Sequence, residues 1–247
     1  MGERTQGLMH YNPNLSHQVD HAHAFQSSGF DITSSAFGDS HTHVISGPYF
    51  AYDQWVGHPR VLMIDRAWYG DPHNVALAWL NPDGTKRYAS GTQPRPGPSY
   101  LPWKTREQSA LILAGYQEDV TDLADRVRKR FPYVRVRKHP AERRAMPHDS
   151  VFSLTSELAL SDVCVGGNTT ALFESIRMGV PVICTDPRNE CMPVCVPNLD
   201  DELYRGDISE WMHGMMYKQF SLHEIETGEA WEILNDESIN ETSHTDN

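Results

Sequence analysis

Residues 162–186, DVCVGGNTTALFESIRMGVPVICTD, decide the fold of this chain. The apolar run at residues 163–165 is typical of a strand buried on both faces of a parallel sheet. Gly166-Gly167 allows a sharp turn and a close approach of the backbone to a ligand. A helix follows until Gly179, and residues 180–184 form a second buried strand. The stretch therefore predicts a βαβ unit of a parallel sheet.

The start of the predicted helix suits an anion. Asn168 is a favourable N-cap residue, and Thr169 and Thr170 place small hydroxyls in the first turn. Free backbone N–H groups at such a terminus attract phosphate. Most strand-to-helix turns bind no ligand, however, so a purely structural βαβ unit stays open on the local pattern alone.

Composition limits the class of protein. A chain of 247 residues forms one large domain or two small ones. Its net charge of -12, from 21 basic and 33 acidic side chains, disfavours non-specific binding to nucleic acid. No signal peptide is visible, and no apolar run approaches the roughly 20 residues of a membrane span. We expect a cytoplasmic protein with no membrane contact.

The cysteines indicate a reduced protein without a metal centre. Cys164 and Cys184 fall in predicted buried strands, where a free thiol behaves as a small apolar side chain. Cys191 and Cys195 form a C-x3-C pair with no second pair to complete a zinc site. Two H-x-H pairs, His21/His23 and His41/His43, also lack a carboxylate or cysteine partner at a telling spacing. We expect no bound metal.

A proline-rich segment divides the chain. Residues 92–103, TQPRPGPSYLPW, suit a stiff extended linker. We predict a first domain at residues 1–93, a linker at 94–104, a second domain at 105–234 and a disordered polar tail at 235–247. In the second domain the pattern predicts strands at 110–114 and 134–137, helices at 119–131 and within 151–160, and terminal helices at 200–217 and 221–234.

The first domain is harder to interpret. Its clearest elements are buried strands at 61–64 and 75–80. Asp65-Arg66 follows the first of them, where an α/β sheet places ligand contacts, although a surface ion pair fits equally well. Asp39, His41 and His43 lie in a loop rich in glycine, aspartate and serine, which makes them candidates for chemistry. Histidines of a turn or a helix surface are the alternative.

Lys138-His139-Pro140 follows another predicted strand. Proline prevents the sheet from continuing, so the chain turns where a ligand crevice lies. The lysine and the histidine suit a diphosphate, as a point charge and as a donor. Glu174, off the apolar face of the helix after Gly167, suits the hydroxyls of a ribose. A solvated basic turn and a surface glutamate are the alternatives.

Together these segments resemble the nucleotide-sugar half of GT-B glycosyltransferases. K-H-P and the later T-T-x3-E-S-x3-G-V-P-V are similar to the branch with capsule-polysaccharide and CDP-glycerol-type transferases, although Ser175 stands where alanine is usual. The run W-x7-Q-F-S-x2-E-I-x2-G-x-A-W, from Trp211 to Trp231, resembles the tail of phage-encoded members. The resemblance covers about residues 109–234 and covers the first hundred residues poorly.

The resemblance implies an α/β fold with two Rossmann-like domains facing a cleft, the N-terminal one reduced. It implies a nucleotide-diphosphate sugar as donor, with a UDP-sugar the first to test, and no bound cofactor. The expected contacts are Lys138 and His139 to the diphosphate, Gly167, Asn168, Thr169 and Thr170 to the same charge, and Glu174 to the ribose. The sugar, the stereochemistry of transfer and the oligomeric state stay open.

The chemistry of transfer would use the first domain. If transfer inverts the anomeric centre, a base must accept the proton of the acceptor hydroxyl, and His41, His43, Asp39 and Asp65 are the candidates. If transfer retains it, Arg66 is placed to steady charge. A 5-hydroxymethylpyrimidine of phage DNA is the first acceptor to test. The alternatives are a glycan or polyol-phosphate transferase, or a nucleotide-binding protein without turnover.

Overall fold

The computed structural model describes residues 8–10, 16–33, 42–46, 55, 60–68, 74–81, 83, 85–91, 93, 95–115, 118–143 and 152–235. The chain divides into two units: unit 1 contains residues 1–97 and 212–247, and unit 2 contains residues 98–211. Each unit has its own sheet and its own buried core, and each sheet contains parallel strands. The predicted α/β class is confirmed.

The described residues form eleven strands and eight α-helices. The strands are β1 (Leu8–His10), β2 (Asp31–Thr33), β3 (His43–Ser46), β4 (Val61–Arg66), β5 (Val75–Leu80), β6 (Lys86–Tyr88), β7 (Ser109–Leu113), β8 (Tyr133–Arg137), β9 (Val163–Gly166), β10 (Val182–Cys184) and β11 (Gln219–Phe220). The helices are α1 (Ser16–Ser27), α2 (Thr121–Arg130), α3 (Pro140–Arg143), α4 (Leu154–Ala159), α5 (Ala171–Arg177), α6 (Ser209–Met216), α7 (Leu222–Thr227) and α8 (Glu229–Asn235).

Unit 1 is built on a sheet of seven described strands. Four of them are parallel in the order β2-β1-β3-β4, and β5 runs antiparallel to β4. The other edge of β5 pairs with β6 at one end and with β11 at the other. Its β-strand face at Met9, Leu62 and Leu77 belongs to a core that α1, α7 and α8 help to close. The sequence predicted a reduced first domain, but unit 1 contains a sheet of seven described strands.

The end of the chain completes unit 1. Phe220 of β11 pairs with Val75. The Trp79 indole N–H donates to the carbonyl oxygen of Leu234, a buried residue of α8, at 3.1 Å. The sequence placed these terminal helices in the second domain. Their apolar faces instead pack on the first sheet, which has an edge and a face to be covered. The tail at residues 236–247 lies outside the described residues.

Unit 2 has a four-stranded, fully parallel sheet in the order β10-β9-β7-β8. Helix α2 packs on the face that carries Ile112 and Val165, where Phe131 is completely buried. Burial of such a ring stabilises a fold by about 2 kcal/mol. On the opposite face, Cys164 meets Ser175 of α5. The βαβ unit predicted from residues 162–186 is confirmed, with helices on both faces of the sheet.

Helix boundaries depart from the sequence prediction in two places. Thr170, not Asn168, is the N-cap residue of α5, because the chain makes an additional turn after Gly167. The helix predicted at residues 200–217 begins only at Ser209, where the Asp207 carboxylate accepts hydrogen bonds from the Ser209 N–H and hydroxyl. A side chain that caps the backbone in this way competes with helix formation upstream.

The proline-rich segment is extended, and its second part is fixed to unit 2. The Leu101 N–H donates to Arg177 O at 2.8 Å and the Lys104 N–H to Gly179 O at 2.7 Å. The Lys104 ammonium donates to three carbonyls at the end of α4, those of Leu158, Ala159 and Ser161. These bonds are made to backbone carbonyls at and just after the ends of α4 and α5, where a helix leaves carbonyls without intrahelical donors.

Candidate functional site

The candidate site is a cleft in unit 2 at the carboxyl edge of its sheet. The cleft measures about 730 Å³, and every strand of the sheet contributes to it through the residues that follow it. Gly115 and Glu118 follow β7, His139 follows β8, Gly167 and Asn168 follow β9, and Thr185 to Arg188 follow β10. In open α/β sheets this edge is where ligands bind.

The strand order explains why a crevice forms there. From β7 the chain passes through α2 to β8 on one side, and then returns through α4 to β9 on the other side of β7. Crossovers from β7 and β9 therefore leave on opposite faces of the sheet, which opens a space between their carboxyl ends. Gly115 and Gly167 stand at these two ends, so at these two positions no side chain narrows the opening.

The turn after β9 is held from behind by Asn189. Its side-chain amide donates to Gly167 O at 2.8 Å and to Thr169 O at 3.4 Å, while Asn189 Oδ1 accepts from the Cys191 N–H at 2.9 Å. In a trans peptide the N–H points opposite to the carbonyl. The N–H groups of Asn168 and Thr170 consequently point away from Asn189. The hydrogen bonds from Asn189 thus hold the conformation of this turn.

The turn after β10 carries an ion pair at the cleft. Arg188 donates through Nε and Nη2 to the two carboxylate oxygens of Asp186, each at 3.0 Å, and its backbone N–H donates to Asp186 Oδ1 at 3.0 Å. The hydrogen bonds from Arg188 hold the pKa of Asp186 below its usual value. Both groups are therefore charged at neutral pH.

Three of the predicted donor contacts line this cleft: His139, Gly167 and Asn168. Thr169 and Thr170 continue the same turn, and Thr169 Oγ1 accepts from the Ala171 N–H at 3.3 Å. Lys138 is exposed beside His139 but is not among the lining residues that the structure describes. The structure therefore brings together the two segments that the sequence paired.

Glu174 occupies a different environment from the one expected of a surface glutamate. Its carboxylate accepts from Arg177 Nε at 2.8 Å and from Nη2 at 2.6 Å, one turn along α5. The side chain is mostly buried, and among the described residues it does not border the cleft. A contact to a ribose would require this ion pair to open or to be shared.

The residues predicted for the chemistry lie in unit 1 or outside the described residues. His43 is the first residue of β3, not part of a loop; it is buried, its Nδ1 lies 3.1 Å from His10 Nε2, and its ring packs against Trp55. Asp65 forms an ion pair with Lys86 at 2.9 Å and is half exposed.

Arg66 is the last residue of β4, and its side chain lies outside the described part of the structure. Asp39 and His41 lie outside the described residues altogether.

Among the residues of the site that the sequence interpretation missed are Gly115, Glu118, Asp186, Arg188 and Asn189. A signal for four of them was present, because Gly115 and Glu118 follow one predicted strand and Asp186 and Arg188 follow another. The rule that ligands bind beyond the carboxyl ends of parallel strands applies to every strand, not only to those with a glycine pair. Asn189 had no such signal, since its contacts join turns that are distant in sequence.

The thiols of unit 2 are structural. Burial raises the pKa of Cys164 to about 12, and burial also raises the pKa of Cys184. A protonated thiol is a poor nucleophile and a poor metal ligand.

Among the described residues, no group of three or more histidine, cysteine or acidic side chains is placed to hold a metal ion. No described helix is long and apolar enough to cross a membrane.

Comparison with known proteins gives a structural likeness only. No protein-family model matches the chain, and no curated protein matches it. Among solved structures, the chain is similar to Thermosulfurimonas dismutans KpsC, a beta Kdo 2,7 transferase, at a TM-score of 0.55 and 12% identity. The match covers 90% of this chain and 97% of the KpsC chain. The chain therefore has a glycosyltransferase-like fold.

Proposed function

We propose that this protein is a glycosyltransferase that takes a sugar from a nucleotide-diphosphate sugar bound in the cleft of unit 2. The observation that supports the proposal is the convergence of four strand ends on one opening, with His139, Gly167, Asn168 and Arg188 around it. Donors and a cation at this edge suit a diphosphate. The likeness to a Kdo transferase supports glycosyl transfer as the reaction.

Binding of the donor is tested by calorimetry with UDP, CDP, GDP and ADP. We expect one of them to bind and His139→Ala to weaken its binding by several-fold to a few hundred-fold, from the roughly 1–3 kcal/mol of a charge-assisted hydrogen bond. Lys138→Ala should have a smaller effect, because Lys138 does not line the cleft. Lys129→Ala, an exposed lysine of α2, is the matched control. Equal affinity in all three variants would place the nucleotide elsewhere.

For the acceptor we propose two classes and one assay that separates them. A sugar hydroxyl of a glycan, or a polyol phosphate, fits the glycosyl transfer that the structural likeness supports in general. A 5-hydroxymethylpyrimidine in phage DNA has the support of the sequence resemblance alone. The basic side chains that would meet DNA fall within residues 126–144. They are partly used within unit 2, since Arg130 donates to Glu107 and to the carbonyls of Leu199 and Asp201.

The assay supplies each of several nucleotide sugars with hydroxymethylated DNA or with oligosaccharides, followed by mass spectrometry. A mass gain on DNA nucleosides would favour the DNA acceptor, and a gain on the oligosaccharide would favour the glycan. Nucleotide binding without donor consumption under any acceptor would instead indicate a binding protein without turnover.

For an inverting reaction we propose Asp39 and His41 as the first bases to replace. Asp65 already pairs with Lys86, and His43 is buried against His10 and Trp55. A base must reach the acceptor hydroxyl within hydrogen-bond distance, which disfavours a side chain held in a core. Transfer that survives both Asp39→Asn and His41→Gln would remove these two residues from the mechanism.

A further inference from the structure

The turn after β10 holds an exposed arginine in a fixed position. The Arg188 side chain is 85% exposed, yet three of its N–H groups, one of them from the backbone, donate to a single carboxylate. That carboxylate, Asp186, is only 13% exposed and is itself part of the cleft wall. Exposed arginines ordinarily move freely, and ordering one costs side-chain entropy. In this turn the arginine is already ordered by Asp186 in the folded protein, so a ligand need not bear that entropy cost.

The fixed guanidinium keeps donors for a ligand. Its fork toward Asp186 uses Nε and one N–H of Nη2, which leaves both N–H groups of Nη1 and the second of Nη2. A planar guanidinium suits two phosphate oxygens at once. Arg188 borders the same cleft as His139 and Asn168, so its remaining donors lie at the rim of the site.

Hydrogen bonds connect the turn that carries Arg188 to the turn after β9. Asn189, the next residue, donates to the carbonyls of Gly167 and Thr169. The Asn189 N–H donates to Asp186 O at 3.1 Å, which closes the turn that carries Arg188. A displacement of either turn would therefore disturb the other. Hydrogen bonds from one residue, Asn189, thus connect the turn that carries the cation with the turn after β9.

We propose that Arg188 contacts the diphosphate of the nucleotide directly and is the principal cation of the donor site. This inference rests on the proposed function, because it assigns a residue to the same cleft. Lys138 was the expected cation, but among the described residues His139 and Arg188 are the basic side chains that line the cleft. Arg188 also neutralises Asp186, whose negative charge would otherwise repel phosphate.

The alternative is an ordinary surface ion pair, and unit 2 contains one for comparison. Arg128 and Asp125 form a pair at 2.7 Å on α2, with both side chains more than half exposed. Arg128 is not a described lining residue of the cleft. Arg128→Ala therefore removes the same charge and the same kind of pair from the same unit, and it serves as the matched control for Arg188→Ala.

The experiment measures binding of UDP, of inorganic pyrophosphate and of uridine by calorimetry. We expect Arg188→Ala to weaken UDP and pyrophosphate about tenfold, the effect of losing one charged contact, and to leave uridine unchanged. Arg188→Lys should recover part of the loss, because lysine keeps the charge but not the fork. Arg128→Ala should bind all three ligands as the unaltered protein does.

Three results would overturn the inference. If the unaltered protein binds UDP and Arg188→Ala binds it as tightly as Arg128→Ala does, Arg188 is a surface residue and the proposed function is untouched. If Arg188→Ala weakens uridine as much as UDP, the residue shapes the cleft and does not contact phosphate. If the unaltered protein binds neither UDP nor pyrophosphate, the UDP form of the proposed function fails together with the inference.

Discussion

Replacement of Gly179 by alanine tests how the extended segment and the βαβ unit depend on each other. Gly179 follows α5 with φ +69, in the left-handed region that favours glycine. A Cβ at this position would overlap Pro102 O and lie 2.8 Å from the Pro102 carbonyl carbon. The neighbour is backbone, so no side-chain rotation can relieve the contact. The hydrogen bonds from Leu101 and Lys104 hold that backbone in place.

The expected cost has two parts. An L residue in the left-handed conformation costs about 1–2 kcal/mol. To accept the methyl group, the backbone at Pro102 must also move away, which breaks or weakens the hydrogen bonds from Leu101 to Arg177 and from Lys104 to Gly179. Each contributes about 0.5–1.5 kcal/mol. We therefore expect Gly179→Ala to lower the free energy of unfolding by about 2–5 kcal/mol.

Gly228 provides the control. It also has a positive φ, +84, but a Cβ there would find nothing within 4 Å. Gly228→Ala therefore bears the conformational cost of about 1–2 kcal/mol alone. Both variants lose the same unfolded-state freedom, so that contribution cancels in the comparison. The difference between them isolates the contact with Pro102.

Urea unfolding followed by circular dichroism measures both costs, and hydrogen exchange of the peptide around Leu101 shows where the change occurs. Gly179→Ala should speed exchange at the Leu101 and Lys104 amides, and Gly228→Ala should not. If Gly179→Ala were no more destabilising than Gly228→Ala, or if exchange at these amides were unchanged, the contact with Pro102 would not contribute as described.

Three further predictions concern unit 2. Glu157→Gln should destabilise the unit by about 3–5 kcal/mol, because it leaves the largely buried Arg137 without its carboxylate; the double variant Glu157→Leu/Arg137→Met should recover most of the loss in urea unfolding. At Asp162, burial pushes the pKa up, but hydrogen bonds from Gln108 and Ser109 outweigh it, so the pKa lies below its usual value. The stability that this carboxylate contributes is present above its unfolded pKa of about 3.9 and is lost as the pH falls through the folded pKa. Asp162→Asn should therefore lower the free energy of unfolding by about 1–2 kcal/mol at pH 7, and by a shrinking amount below pH 4 in acid titrations. Asn189→Ala should weaken the binding of UDP about fivefold and leave the binding of uridine unchanged, because it removes the hydrogen bonds that hold the turn after β9. Calorimetry that shows an equal loss of affinity for both ligands would contradict this.

Much of unit 2 was predictable from local pattern. The apolar runs at residues 110–114 and 163–165 became parallel strands because such runs are stable only when both faces are covered, whereas the alternating valines and arginines at 134–137 became the partly exposed edge strand β8. The pairing of Lys138-His139 with Gly166-Gly167 was likewise inferable, since both follow strands of one sheet. His139, Gly167 and Asn168 accordingly line one cleft.

Unit 1 was less predictable because its sheet is assembled from distant segments. The three-residue strands β1 and β2 pair in parallel although helix α1 lies between them, and one edge of β5 is closed by Phe220, which follows much later in the chain. No window of sequence contains both partners of such a pair. The burial of His43 beside His10 and Trp55 depends on the same long-range pairing.

The sequence by itself determined the βαβ unit at residues 162–186, the class of the fold and two of the turns that border the cleft. These features depend on residue spacing within short windows, where periodicity and glycine positions are sufficient. Only the tertiary structure decided that Gly167 and Thr169 are held by Asn189, that Arg188 borders the cleft, and that Glu174 pairs with Arg177. Those contacts depend on which strands become neighbours, and the strand order of a parallel sheet is set by packing of the whole unit.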